Sequence, residues 1–401
     1  MRRPLEGVRI ISIEQFGAAP YGTMLLADLG AEVIKIENPA TGGDPARSSD
    51  THKLGAHDSQ YFQTWNSNKL SVVLDMKSLE GREAFERLVR SGDAVVHNLR
   101  GDQPSKLKIT YRDLAELNPA IVCLHISAYG RDNSRATRPG YDFLMQAEAG
   151  LMSITGDPDG SPARFGPSII DYMTGVIGVT GLLSAIIAAR ATGIGCDVDT
   201  SLYEVALHQL GYAATWYLND QEITTRLARS SHFGLAPVQT FRSSDGWFYL
   251  MCMTDKFWIL LTELIARQDL AADPQYASVS QRFKNRASLT EVLDSIFSTQ
   301  STQHWIELLS QTLPVGPVLD VAEALDNSFV DEIDMVRSVA HPARPDLRLL
   351  ANPLKINGNR LPQRVCSALG ADNDALLGVT APGDQSVEVE ARSRKSQMRT
   401  G

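Results

Sequence analysis

Asp171 is the carboxylate whose setting invites chemistry. It sits in Gly166-Pro167-Ser168-Ile169-Ile170-Asp171-Tyr172-Met173-Thr174-Gly175, with an apolar helical run behind it. An aspartate at a helix start commonly caps the backbone. The same place also suits a reactive anion, because free N–H groups and the helix dipole stabilise negative charge there. Pattern alone leaves both readings open. Arg100, Lys106, Lys108 and Arg112 form a basic run after a strand-like segment ending near His97. Such runs are usually solvated, but at the C-terminal end of a parallel strand they make a seat for phosphates. Cys123 and His125 would share one strand face. No further ligands stand at a metal-binding spacing, so a hydrogen-bonded core histidine and no metal are expected.

The first strand leads into Phe16-Gly17-Ala18-Ala19-Pro20, without the glycines of GxGxxG, which excludes a dinucleotide site. Glu37 ends the second strand, where an NAD enzyme keeps its ribose-binding acid. Without those glycines it is expected to be a surface residue or a helix-cap partner. Gly175, Gly178 and Gly181 recur every third residue, a spacing that suits close helix packing and not a phosphate loop. Cys123, Cys196, Cys252 and Cys366 are scattered with no CxxC pair, which points to inert thiols in a reducing compartment.

The elements that must position these groups alternate through the first half. Val8 to Ile13, Ala31 to Ile36, Ala94 to Val96 and Ile121 to Ile126 read as strands. Between them lie a helix running to Gly30, a helix capped by Ser78 with Phe85, Leu88 and Val89 on one face, and a short helix around Leu114 and Leu117. This βαβαβ rhythm predicts a parallel, Rossmann-like sheet, whose ligands sit beyond the strand C-termini. Farther on, a strand pair (Gln239 to Phe241, Trp247 to Cys252) precedes helices around Trp258 to Ile265, Leu289 to Phe297 and Trp305 to Leu309, the pattern of a smaller α+β domain. Pro314 to Ile356 reads as loop-rich, and the last twenty residues as a frayed polar tail.

With 401 residues, 43% hydrophobic and 21% charged, the chain has the make-up of a two-domain globular protein. Its formal charge of −9, with Lys and Arg dispersed, speaks against nucleic acid, so an anionic ligand needs a local basic pocket. Val176 to Ala189 is apolar but too short to span a bilayer, and a buried helix is expected. No apolar segment follows the two early arginines, so no signal peptide is read. The expectation is a soluble, cytoplasmic protein without a membrane partner.

Longer stretches carry a resemblance. Pro4 to Ile10 (PLEGVRI), Leu26 to Glu37 (LADLGAEVIKIE), Gly43-Asp44 with Arg47, and Asn66 to Ser71 (NSNKLS) begin it. Leu74 to Lys77 (LDMK), Gly140-Tyr141-Asp142, Asp171 with Gly175, and Gly193-Ile194-Gly195 leading to Val198 to Leu202 (VDTSL) continue it in order. Asp245-Gly246, Val315 to Val318 (VGPV) and Asn352 to Lys355 (NPLK) complete it. Together they resemble the CaiB–BaiF, or family III, coenzyme A transferases across nearly the whole chain.

The resemblance implies an α/β fold, with a Rossmann-like large domain from residues 1–205 and 325–401 and a small α+β domain from 225–325. It implies an interlocked homodimer, acyl-CoA and a small carboxylic acid as substrates, and no permanently bound cofactor. CoA would lie across the strand ends, on Gly17, Ala18, Leu74, Lys77, Asn98, Leu99, Arg100, Lys106, Tyr141 and Asp142. Its acyl group would point toward a nucleophilic Asp171. Asn38 stands where formyl-CoA transferase has an arginine and Gly17 where it has a glutamine, and no glycine-rich lid is found around Cys252 to Asp255. These departures speak against formyl-CoA and oxalate as substrates, and by analogy with bacterial relatives small di- or monocarboxylates such as succinate are expected. Arg47 and Arg164 are either candidates to meet a second carboxylate or surface residues.

An aspartate with the ordinary pKa near ~3.9 is ionised at neutral pH and attacks a thioester without a base. The resemblance makes the product an acyl-aspartyl anhydride, from which water must be excluded. α-Methylacyl-CoA racemases share the family fold but place a histidine base in Gly-His-Asp. Tyr141, with an ordinary pKa near ~10, is a poor substitute. A CoA-ester-binding protein without turnover is the third reading.

Overall fold

The computed structural model describes residues 3–378. Its central sheet contains β1 (Arg9–Ile13), β2 (Glu32–Glu37), β3 (Leu70–Val73), β4 (Ala94–His97), β5 (Val122–Ser127) and β6 (Cys196–Ser201). All neighbours pair parallel, in spatial order β3-β2-β1-β4-β5-β6. Ile10, Ile11, Val33, Ile34, Val95 and Val96 are wholly buried, as strands covered on both faces require. The strand order reverses between β1 and β4. In such sheets the two diverging exits leave a crevice, and both key loops leave from there.

The helices that matter to the site are α1 (Ala18–Asp28), α2 (Leu79–Arg90), α3 (Asp142–Glu148) and α4 (Ile169–Thr192). Ser78 caps α2 by accepting from the Gly81 N–H at 3.0 Å, and Phe85, Leu88 and Val89 are buried on its inner face, as the sequence predicts. α4 runs for 24 residues, longer than its most apolar stretch suggested, and it is long and apolar enough to cross a bilayer. Here one face, with Gly178, Leu182 and Ile186, packs into the protein, while Val176, Ile177 and Ile187 lie exposed. The expected buried helix is thus buried along one side only.

The glycine spacing does what close packing demands. A Cβ on Gly175 would stand 2.5 Å from the Ala18 carbonyl oxygen, and one on Gly22 would stand 2.7 Å from the Gly175 carbonyl oxygen. α1 and α4 therefore cross backbone to backbone.

The described chain divides into two compact units: residues 3–149, 166–209 and 331–378, and residues 150–165 and 210–330. The second unit contains an antiparallel sheet of β7 (Val238–Arg242), β8 (Trp247–Met251) and β9 (Val315–Pro317), ordered β9-β8-β7. It also contains α5 (Asp255–Leu264), α6 (Arg286–Phe297) and α7 (Thr302–Leu309), around a core that includes Phe241, Phe248, Trp258 and Phe297. Residues 150–165, placed with the large domain on sequence, cluster with this unit instead.

The segment read as loop-rich is corrected as well, because β10 (Val336–His341) and β11 (Arg344–Leu350) form an antiparallel hairpin within it. Only Val339, Leu347 and His341 are buried there, so the alternation that marks a strand is thin. The polar tail lies outside the described residues.

Candidate active site

Asp171 stands in the first turn of α4, but it is not the cap. That task falls to Asp142, whose Oδ2 accepts from the backbone N–H of Ile170 at 2.6 Å and of Asp171 at 3.0 Å. Gln146 donates to the other oxygen of Asp142 at 2.6 Å. The cap reading of Asp171 is thereby replaced. Its side chain is released from backbone duty, and among the described residues none donates a hydrogen bond to its carboxylate. Burial first, and then the charge of Asp142, push its pKa up to about 7. The ordinary value expected from sequence is corrected accordingly, because a partly desolvated carboxylate beside a second one resists ionisation.

The carboxylate lies against the turn after β1. A Cβ on Gly17 would come within 2.4 Å of Asp171 Oδ2, so only glycine leaves this oxygen its place. Phe16, just before it, holds a left-handed φ of 58°, and Asp44 Oδ1 accepts from its N–H at 3.3 Å. Asp171, Gly17, Ala18, Asn98, Arg100 and Tyr141 are among the residues lining a cavity of about 360 Å³. A second cavity, of about 280 Å³, lies at the exits of β1 and β2 and includes Leu74 and Lys77. Gln15, Leu99 and Gln103 line both.

The remaining expected contacts divide. Tyr141 is exposed and meets Phe16 edge-on, with ring centroids 6.3 Å apart. Asp142 is buried and committed to α4 and Gln146, which removes it as a ligand contact and makes it a support for Asp171. Lys106 is exposed, pairs with Asp102 at 2.5 Å and lines neither cavity, although Gln103 and Leu107 of the same helix line the second. Of the basic run, Arg100 alone lines a cavity.

Beneath the loop lies a set of charges that sequence reasoning missed. Glu14, Lys35, Glu37, Asp44, Arg47 and Lys69 are all buried. Lys69 donates to Glu14 at 2.7 Å and to the carbonyl of Pro20 at 2.8 Å, and Lys35 reaches Asp44 at 2.9 Å. Arg47 grips both oxygens of Glu37, at 2.8 and 2.7 Å. Burial pushes the Glu37 carboxyl up, but Arg47 and Lys35 outweigh it and hold the pKa below its usual range. The surface placements expected for Glu37 and Arg47 are thus overturned: each is the other's partner in the interior. Charged residues inside the apolar run Val33-Ile34-Lys35-Ile36-Glu37 were the available signal. Arg164 belongs to the second unit and is exposed.

An aromatic group beside Asp171 also escaped notice. Trp65 stacks on Tyr172 with centroids 4.8 Å apart, and Tyr21 and Tyr61 meet Trp65 edge-on. Burial first, and then the charge of Asp171, push the Tyr61 hydroxyl up to about 12, so it stays a neutral donor.

A carboxylate that takes no hydrogen bond from the described residues lines a cavity at the strand ends of a Rossmann-like sheet with no dinucleotide fingerprint, an arrangement in which it could act as a nucleophile. Comparison with known proteins agrees. The model of CoA-transferase family III matches residues 5–373. A succinyl-CoA:mesaconate CoA-transferase of Haloarcula hispanica is 33% identical over 88% of this chain and 90% of its own length. An acetyl-CoA:oxalate CoA-transferase of Acetobacter aceti is 32% identical over the same shares, 88% and 90%. A crystal structure of a CaiB/BaiF family protein from Brucella suis superposes with a TM-score of 0.81 at 30% identity, over 94% of this chain and 99% of that one. The chain belongs to CoA-transferase family III, and it is a CoA-transferase that works on CoA thioesters.

Proposed function

We propose that this enzyme moves CoA from an acyl-CoA to a free carboxylic acid through a covalent acyl intermediate on Asp171. Ionised Asp171 attacks the thioester carbonyl, the C–S bond breaks, and an acyl-aspartyl anhydride forms with release of CoA thiolate. An acceptor carboxylate then attacks the aspartyl carbonyl and expels the first acid. The thiolate finally attacks the acceptor's carbonyl in the new anhydride, giving the new thioester and free Asp171. Atoms and charge balance at each step, and no oxidant or metal is called for.

The observation that carries this reading is the unpartnered Asp171 carboxylate against Gly17 at the cavity wall. Backbone N–H groups at the start of α1 are free to meet the developing oxyanion. The CoA moiety would run through the cavity past Asn98, Leu99 and Arg100 toward Leu74 and Lys77, with Gly17, Ala18 and Tyr141 near the thioester. Small mono- or dicarboxylates such as succinate are the proposed acids; the mesaconate and glutarate enzymes among its relatives support that class, and the oxalate enzyme among them keeps oxalate on the panel despite the departures at Gly17 and Asn38.

We place the enzyme in the cytoplasm as a homodimer of interlocked chains with the large and small domains given above. Exposed Tyr141, Phe143, Leu144, Val176, Ile177 and Ile187 supply apolar surface for a second copy.

The test is CoA exchange between succinyl-CoA or acetyl-CoA and a panel of labelled acids. Exchange that vanishes in Asp171→Asn, with ester binding retained, supports the mechanism. Binding without exchange across the panel sinks it, and rapid deuterium uptake at Cα points to racemisation instead.

A further inference from the structure

His97 and His125 are both buried and lie opposite each other on β4 and β5. His97 Nε2 and His125 Nδ1 are 2.5 Å apart, and His125 Nε2 is 2.7 Å from Asp197 Oδ1. At the other end, the Leu99 backbone N–H donates to His97 Nδ1 at 3.3 Å. The direction of every bond follows. Burial pushes Asp197 up, but His125, the Tyr111 N–H and Arg131 outweigh it and hold the pKa at about 2, so Asp197 is an acceptor. His125 therefore donates from Nε2, and because the Leu99 N–H makes His97 Nδ1 an acceptor, His125 takes the His97 hydrogen bond at its own Nδ1. His97 then carries its proton on Nε2 and keeps the Nδ1 lone pair for Leu99.

The wire ends where the substrate would pass. Leu99 lines both cavities. Its neighbour Asn98 holds Gln15 from both sides, accepting from its N–H at 2.9 Å and donating to its carbonyl at 2.6 Å. Gln15 leads directly into Phe16 and Gly17, beside Asp171.

We propose that His97 is a positioning residue: through its Nδ1 acceptor it fixes the Asn98-Leu99-Arg100 loop as the wall shared by the two cavities that take the CoA ester. The role rests on the site assignment above and adds to it a buried residue that never touches substrate.

The test compares His97→Asn, His97→Gln and His97→Leu by titration calorimetry with acetyl-CoA, alongside Tm. Asparagine places an oxygen where Nδ1 stands. Glutamine reaches only the Nε2 position, and leucine reaches neither. Loss of the acceptor should weaken acetyl-CoA binding about tenfold in His97→Gln and His97→Leu, with His97→Asn within about twofold of the parent. Equal affinity in all folded variants, or an order that follows Tm instead of the acceptor, overturns the proposal. If leucine prevents folding, the asparagine–glutamine pair still decides. Nitrogen NMR of the parent should show His97 protonated at Nε2, and a proton on Nδ1 would overturn the wiring. A parent that binds no acetyl-CoA would instead remove the site assignment itself.

Discussion

Lowering the pH from 8 to 6 should slow this enzyme in a way that an ordinary aspartate nucleophile would not. The pKa of Asp171 is pushed up to about 7 by burial and then by Asp142. With that value about nine-tenths of the carboxylate is ionised at pH 8 and about one-tenth at pH 6. Because only the ionised form attacks, kcat/KM for the acyl-CoA should fall about tenfold across this range. With an ordinary pKa the ionised fraction changes by about one per cent. The assay is initial-rate CoA transfer at low donor concentration, with acetyl-CoA binding measured at each pH to separate titration of CoA phosphates. Asp142→Asn keeps an oxygen for the two α4 N–H groups but removes the neighbouring charge. Its acid limb should therefore move to lower pH without reaching the ordinary carboxylate range, since burial is the larger cause. A flat profile in the parent, or an unmoved limb in Asp142→Asn, would refute the electrostatic account.

Three further outcomes follow from the same geometry. Between the unfolded pKa of 3.8 and the folded value of about 7, the native state binds more protons, so stability contributed by Asp171 falls as pH rises through that window. Asp171→Asn should accordingly raise Tm at pH 8 by a few degrees, on the order of 2 kcal/mol after allowance for partial solvation, and by little at pH 4. Gly17→Ala should lower kcat by about a hundredfold or more with Tm nearly unchanged, as measured by exchange assay and calorimetry, because the new Cβ meets Asp171 Oδ2 while the backbone φ of −101° tolerates alanine. Arg47→Met removes the guanidinium that grips both oxygens of buried Glu37 and leaves only the Ser71 hydroxyl, the Asp44 N–H and the nearby Lys35 charge to hold it, and urea denaturation should show a loss of about 3 kcal/mol.

Much of the fold was legible because it follows from period and punctuation. The four strands read from hydrophobic pattern and the Ser78 cap stand where that pattern and capping chemistry place them, whereas β3 and β6 of the same sheet were not read as strands. The β10–β11 hairpin was hidden because a two-stranded ribbon buries too few side chains to print an alternation. The position of Asp171 was legible, and its state was not: whether an aspartate at a helix start caps or reacts depends on Asp142, 29 residues earlier, which does the capping. Glu37 and Arg47 were misplaced for a related reason. Each charge alone reads as surface, and only the fold reveals that the two neutralise each other inside. His97 carried no motif, since its significance lies in a strand pairing that sequence does not print.

The central claim is that the acyl group passes through Asp171, and following an oxygen atom tests it directly. The enzyme is turned over with an acceptor acid carrying isotopically heavy oxygen, then digested, and the peptide containing Asp171 is weighed. Attack of the acceptor on the aspartyl carbonyl, followed by thiolysis, leaves one heavy oxygen on that side chain after a single turnover and up to two after many, with none on any other side chain. Product formed with the Asp171 peptide unlabelled would contradict the account.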